Sequence, residues 1–184
     1  MDASFSSSTD ANSAYIRHSR ARWRVVYILS GAQSNPIARA VAPLREALEL
    51  LPDDPNLTEL LAAALQNHGN RVAGAGRHAE AIEAYTEVLA LDTEAVELYG
   101  YIALVYGHLG NWAAASENYT RYLDIRPGDL AARLNFGDIL WWSEDFEGAR
   151  EQWKLARQLG LELDGTERFI EAIEKRLDTP VPAE

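Results

Sequence analysis

The sequence predicts an all-α fold, a solenoid of antiparallel helix pairs stacked in a row and closed by terminal capping helices. Three observations carry this. Matched residues recur every 34 positions: Ala81, Ala115 and Ala149 in one register, and Tyr85, Tyr119 and Trp153 in another. Gly76 and Gly110 stand 34 residues apart between apolar-periodic stretches, and Glu144 holds the same slot in a third copy. Breaks at Asp92-Thr93, Pro127-Gly128-Asp129 and Leu159-Gly160 fall between copies, where chain reversals belong. A period of this size marks units that cannot bury their apolar faces alone and do so by stacking.

In chain order, residues 1–13 are polar and serine-rich and read as a disordered tail without the basic-then-apolar layout of a secretory signal. Residues 14–56 read as an amino-terminal helical cap or a degenerate repeat. Within them a helix is expected from Ala14 to about Ser30, and Asn35-Pro36 caps a second over 36–50 with Leu44 and Ala47 inward. Pro43 inside that stretch removes a backbone donor and calls for a kink or a late start. The regular array covers 62–163 in units 62–95, 96–129 and 130–163. Its helices are expected near 57–74 and 78–91, 96–108 and 112–125, and 130–143 and 146–158. Residues 164–178 form a capping helix with Phe169, Ile170, Ile173 and Leu177 inward, and Glu171, Glu174, Lys175 and Arg176 outward.

Small and large residues alternate as a close-packed helical core requires. Gly69, Ala103 and Gly137 are expected to face Ala81, Ala115 and Ala149 across each hairpin, with Tyr85, Tyr119 and Trp153 filling the wider gap beyond. Gly76 and Gly110 suit a left-handed turn between helices, and Glu144 fits that slot less comfortably.

Composition narrows the function. The 184 residues are 47 % hydrophobic, enough for a continuous core, and contain no cysteine, so neither disulfides nor thiolate metal sites arise. No apolar run, Val25 to Leu29 included, comes near the roughly 18 residues that suggest a membrane span; no membrane insertion and a cytoplasmic location are expected. The formal charge of −11 argues against nucleic acid as a partner. Charge is uneven, since the first 30 residues hold four arginines (Arg17, Arg20, Arg22, Arg24) against Asp2 and Asp10. This basic segment either docks on the acidic body or serves as an arm for an acidic surface.

The array resembles the tetratricopeptide repeat over residues 62–163. The match in the second unit runs through Tyr99, Ile102, Ala103, Tyr106, Gly110, Trp112, Ala115, Tyr119, Leu123 and Pro127. In the first it runs through Leu65, Gly69, Val72, Gly76, Ala81, Tyr85 and Leu89, and in the third through Phe136, Gly137, Leu140, Phe146, Ala149 and Trp153. The resemblance implies a right-handed superhelix in which the first helix of each unit lines a concave groove for a peptide or helix. Carried over residue by residue, that groove comprises Gln66, Asn67 and Asn70, then Glu97, Tyr101, Leu104 and His108, then Leu134, Asn135, Asp138, Trp141 and Trp142, with Gly100 and Ala131 on the same face. The family's clamp for a terminal carboxylate is not expected. Asn70 fits it, but Gln66 stands in a lysine position, Tyr101 in an asparagine position, and Ala131 and Asn135 where a basic pair belongs. What remains favours an apolar or amphipathic segment whose basic residues meet Glu97 and Asp138. Adjacent helix residues point about 100° apart, so one of Trp141 and Trp142 can be core while the other lines the groove; the alternative packs both against the capping helix.

No catalytic site, cofactor site or metal site is expected. His68 and His78 are ten residues apart, which is no helical ligand spacing, and Gly69 to Gly76 lacks the lysine and strand of a phosphate loop. The expected function is a noncatalytic adaptor or assembly factor holding a protein or peptide partner. A secretion or assembly chaperone is a narrower alternative, and a homo-oligomer built with the amino-terminal segment is another.

Overall fold

The computed structural model describes residues 40–182. Among them the chain forms eight helices: α1 (Val41–Leu50), α2 (Pro55–Gly74), α3 (His78–Leu91), α4 (Glu97–His108), α5 (Trp112–Ile125), α6 (Leu130–Trp142), α7 (Phe146–Leu161) and α8 (Glu167–Leu177). The expected tail 1–13, the helix over 14–30 and the Asn35-Pro36 cap lie outside the described residues. Pro43 sits in the first described turn of α1.

Local chemistry explains where helices begin. Asp54 Oδ1 accepts from the amides of Asn56 (3.0 Å) and Leu57 (3.4 Å), and Pro55 opens α2 where its missing N–H is no loss. Asn111, Asp129 and Asp145 repeat the device, accepting from Ala114 (3.2 Å), Ala132 (2.9 Å) and Gly148 (2.9 Å) to start α5, α6 and α7.

The ends of α2, α4 and α6 share one closure. Gly76, Gly110 and Glu144 have φ of 76°, 70° and 68°. The following amides of Arg77, Asn111 and Asp145 reach back to the carbonyls of Val72 (2.8 Å), Tyr106 (3.0 Å) and Leu140 (3.0 Å). These bonds satisfy carbonyls that a helix end leaves open. Glu144 is the one non-glycine residue at positive φ among those described, so the strain expected at that slot is present.

The helices pair as α2–α3, α4–α5 and α6–α7, and each pair packs on the next through α3–α4, α5–α6 and α7–α8. This is an all-helical solenoid of antiparallel pairs. Ala81, Ala115 and Ala149 are fully buried, as is Ala47 in α1, and the aromatics Tyr85, Tyr119 and Trp153 are buried beside them.

Three details differ from expectation. A Cβ on Gly69 would meet the Tyr85 ring at 2.5 Å, and one on Gly137 would meet Trp153 Nε1 at 2.3 Å. The glycines therefore make room first for an aromatic and only secondarily for the facing alanine. Leu159-Gly160 is not a break, because α7 continues to Leu161 and the turn comes near Gly165. Gly160 is there for packing: a Cβ would lie 2.7 Å from Ile170 and 3.0 Å from Leu130. In α8, Ile173 is fully buried but Phe169 is 43 % exposed, while Arg176 turns inward. The face of α8 is set by what it meets on α6 and α7, which its own periodicity does not reveal.

Candidate functional site

The first helices of successive pairs, α4 and α6, come into direct contact on one side of the stack. Between them lies a cleft of about 230 Å³ lined by Glu97, Gly100, Tyr101 and Leu104 from α4, and by Ala131, Ala132 and Asn135 from α6. Tyr119, Tyr122 and Asp129 complete it from behind and below. Tyr101 is 42 % and Leu104 43 % exposed, so both present apolar surface at the mouth. The cleft lining holds two carboxylates and no lysine or arginine.

Hydrogen bonds fix the floor. Tyr122 Oη donates to Asp129 Oδ2 at 2.7 Å, while the other oxygen of Asp129 caps α6. Tyr119 shares a side-chain hydrogen bond with Asn135. Burial raises the Tyr119 phenol to about 12, helped by the carboxylates of Asp138 and Asp129 and opposed by the bond to Asn135. Burial also raises Tyr122 to about 12, with its bond to Asp129 and the charges of Asp129 and Glu97 adding, and Arg126 opposing. Tyr85 is raised by burial and then by Tyr101, whose ring lies 5.9 Å away. Phenols of this kind remain neutral donors at ordinary pH, which suits a binding surface better than proton transfer.

The expected groove residues divide into those the cleft joins and those it does not. Glu97, Tyr101, Leu104 and Asn135 line it together; Glu97 also pairs with Arg126 at 3.3 Å. Gln66, Asn67 and Asn70 sit on α2 away from this cleft, and Asn70 Oδ1 accepts from Tyr85 Oη at 2.7 Å. His108 stacks on His78, with ring centroids 5.5 Å apart and 9° between planes. Leu134 is not a groove residue: it is 7 % exposed and packs with Trp153, Ala156 and Ile173, because α8 closes over that part of α6. Asp138 is held by Arg176 through two bonds (2.6 and 2.7 Å) and by Trp153 Nε1 at 3.2 Å. Trp141 packs edge-on to Phe146 and tilted on Trp153, whereas its neighbour Trp142 is 65 % exposed and outside the cleft.

Sequence reasoning overlooked Tyr122. Its signal was present, since Val88, Tyr122 and Ala156 share the 34-residue register and only the middle one carries a polar tip. A wider hollow of about 630 Å³ lies over α7, beside Phe146, Arg150 and Val181. There the carboxy-terminal tail lies along the helix, with Arg150 bonded to the Thr179 carbonyl at 2.9 Å. Among the described residues no group of three or more His, Cys, Asp or Glu is placed to hold a metal, and no helix is long and apolar enough to cross a membrane.

This architecture is that of a tetratricopeptide-type α-solenoid. No protein-family model and no curated sequence matches the chain. Solved structures do. The type III secretion translocator chaperone SycD of Yersinia enterocolitica superposes with a TM-score of 0.61 at 11 % identity, over 67 % of this chain and 92 % of that one. PcrH in complex with the chaperone binding region of PopD gives 0.60 at 17 % identity, over 65 % and 90 %. The first tetratricopeptide domain of Spaghetti (RPAP3), bound to the HSP90 peptide SRMEEVD, gives 0.54 at 20 % identity, over 64 % and 94 %. At these identities the likeness establishes the fold.

Proposed function

We propose that this chain is a noncatalytic scaffold of the assembly- or secretion-chaperone kind, holding an apolar segment of a partner protein against its concave face. The observation that carries this reading is the α4–α6 cleft, where exposed Tyr101 and Leu104 stand over small residues with carboxylates and no cation in the lining. Exposed aromatic and aliphatic residues over a preformed recess are the ordinary anchors of peptide recognition. Two of the similar folds described above support the chaperone version: SycD is a translocator chaperone, and PcrH is held in complex with the chaperone binding region of PopD. The third binds an acidic peptide, a mode that asks for basic residues where this chain has Gln66, Ala131 and Asn135.

The test is fluorescence anisotropy with three labelled peptides of about twelve residues, the first two capped at both ends. One combines leucine and valine with lysine, one is neutral and apolar, and one is acidic with a free carboxy terminus. The lysine-bearing apolar peptide should bind best, and a Tyr101→Ala, Leu104→Ala double variant should weaken it at least about tenfold. Equal binding to the folded double variant, or preference for the acidic peptide, contradicts the reading.

A further inference from the structure

We infer that Gly100 is a specificity-determining residue, holding open a pocket for one leucine- or phenylalanine-sized side chain of the bound segment. This rests on the concave-face reading above and deepens it.

The inference comes from comparing glycines inside helices. At Gly69, Gly107, Gly137 and Gly160 an added Cβ would fall 2.5, 2.6, 2.3 and 2.7 Å from Tyr85, Ile139, Trp153 and Ile170. Packing explains each of those. At Gly100, in the interior of α4, the nearest atom to a Cβ would be Tyr122 Cγ at 3.8 Å, an ordinary contact. Its φ is not in the positive range that favours glycine. A helix-interior glycine costs stability relative to alanine, and neither neighbours nor backbone ask for one here. What the missing side chain leaves free is the cleft itself. Gly100, Ala131 and Ala132 are its small residues, while Tyr101, Leu104 and Tyr122 are its apolar walls. A volume of about 230 Å³ has room for a single side chain.

Charge completes the description of the occupant. Asp129 is already engaged by Tyr122 and by the Ala132 amide. Glu97 is exposed, and its Arg126 partner lies at 3.3 Å across solvent-facing surface, a contact of little strength. Glu97 is therefore available to a lysine or arginine flanking the anchor. The occupant is a peptide segment with one large apolar side chain beside a basic residue.

The experiment is amide NMR of the full chain titrated with N-acetyl-leucinamide and N-acetyl-alaninamide, on wild type, Gly100→Ala and Gly100→Leu. In wild type the leucine probe should shift amides around 100–104 and 131–135, and the alanine probe should do so several-fold more weakly. Gly100→Ala should fold with a melting temperature raised by about 2–4 °C and bind the leucine probe less well. Gly100→Leu should lose the shifts. A lowered melting temperature for Gly100→Ala would show a structural reason for the glycine and overturn the inference. So would unchanged shifts in a folded Gly100→Leu variant. If the lysine-bearing apolar peptide binds wild type and Gly100→Leu equally, the pocket fails and the groove stands; if it does not bind wild type, both fail.

Discussion

At Glu144 a side chain occupies a backbone conformation that glycine fills at Gly76 and Gly110. The left-handed region costs an ordinary residue about 1–2 kcal/mol, partly offset because glycine has more unfolded freedom to lose. Glu144→Gly should therefore raise stability by about 0.5–1 kcal/mol, read as a higher urea midpoint at unchanged slope. A lower midpoint would mean that the Glu144 side chain contributes something the backbone geometry does not show. The reverse holds at Gly137, where Trp153 leaves no room for a methyl group. Gly137→Ala should cost about 1–3 kcal/mol by overpacking, and Gly69→Ala, against Tyr85, should behave alike. Equilibrium unfolding of these two variants checks the small-against-aromatic register, and neutral behaviour of both would contradict it.

The elements show which signals a sequence carries openly. Helix starts and the turns at Gly76 and Gly110 were legible because asparagine, aspartate, proline and glycine act through local backbone chemistry. Gly160 was misread for the opposite reason: a glycine that admits Ile170 and Leu130 looks, in one dimension, the same as one that turns the chain. Leu134 was assigned to the groove because nothing local announces that α8 will cover it, and Asp138 has a partner 38 residues away in Arg176. Of the candidate site, Glu97, Tyr101, Leu104 and Asn135 were expected together from the family resemblance, and they line one cleft. The floor made by Tyr122 and Asp129 depended on tertiary contact. Because α8 packs on α7 and covers Leu134 of α6, its single fully buried residue should decide whether the α6–α7 pair holds. Ile173→Ala should cost about 2–5 kcal/mol and raise hydrogen exchange first in α7 and α8. A loss spread evenly over all helices would contradict that local role.

For the whole molecule, pH provides a separate check. Burial pushes the Tyr119 and Tyr122 phenols up to about 12 in the folded chain, above the ordinary tyrosine value of 10.0. Below pH 10 both states keep these protons, and the stabilisation is fully present. Between 10 and 12 the unfolded chain loses them first, so stability should fall steadily as pH rises. Phenolate absorbance should show these two titrating late and together with unfolding; early titration without loss of helicity would place them at the surface. The stacked architecture also bears on the proposal that a partner is received on the side formed by α4 and α6. Hydrogen exchange with the lysine-bearing apolar peptide at saturation tests this most directly. Protection concentrated in 97–104 and 130–138 is the predicted result. Protection confined to α5 and α7, or a bound peptide that protects neither α4 nor α6, would contradict it.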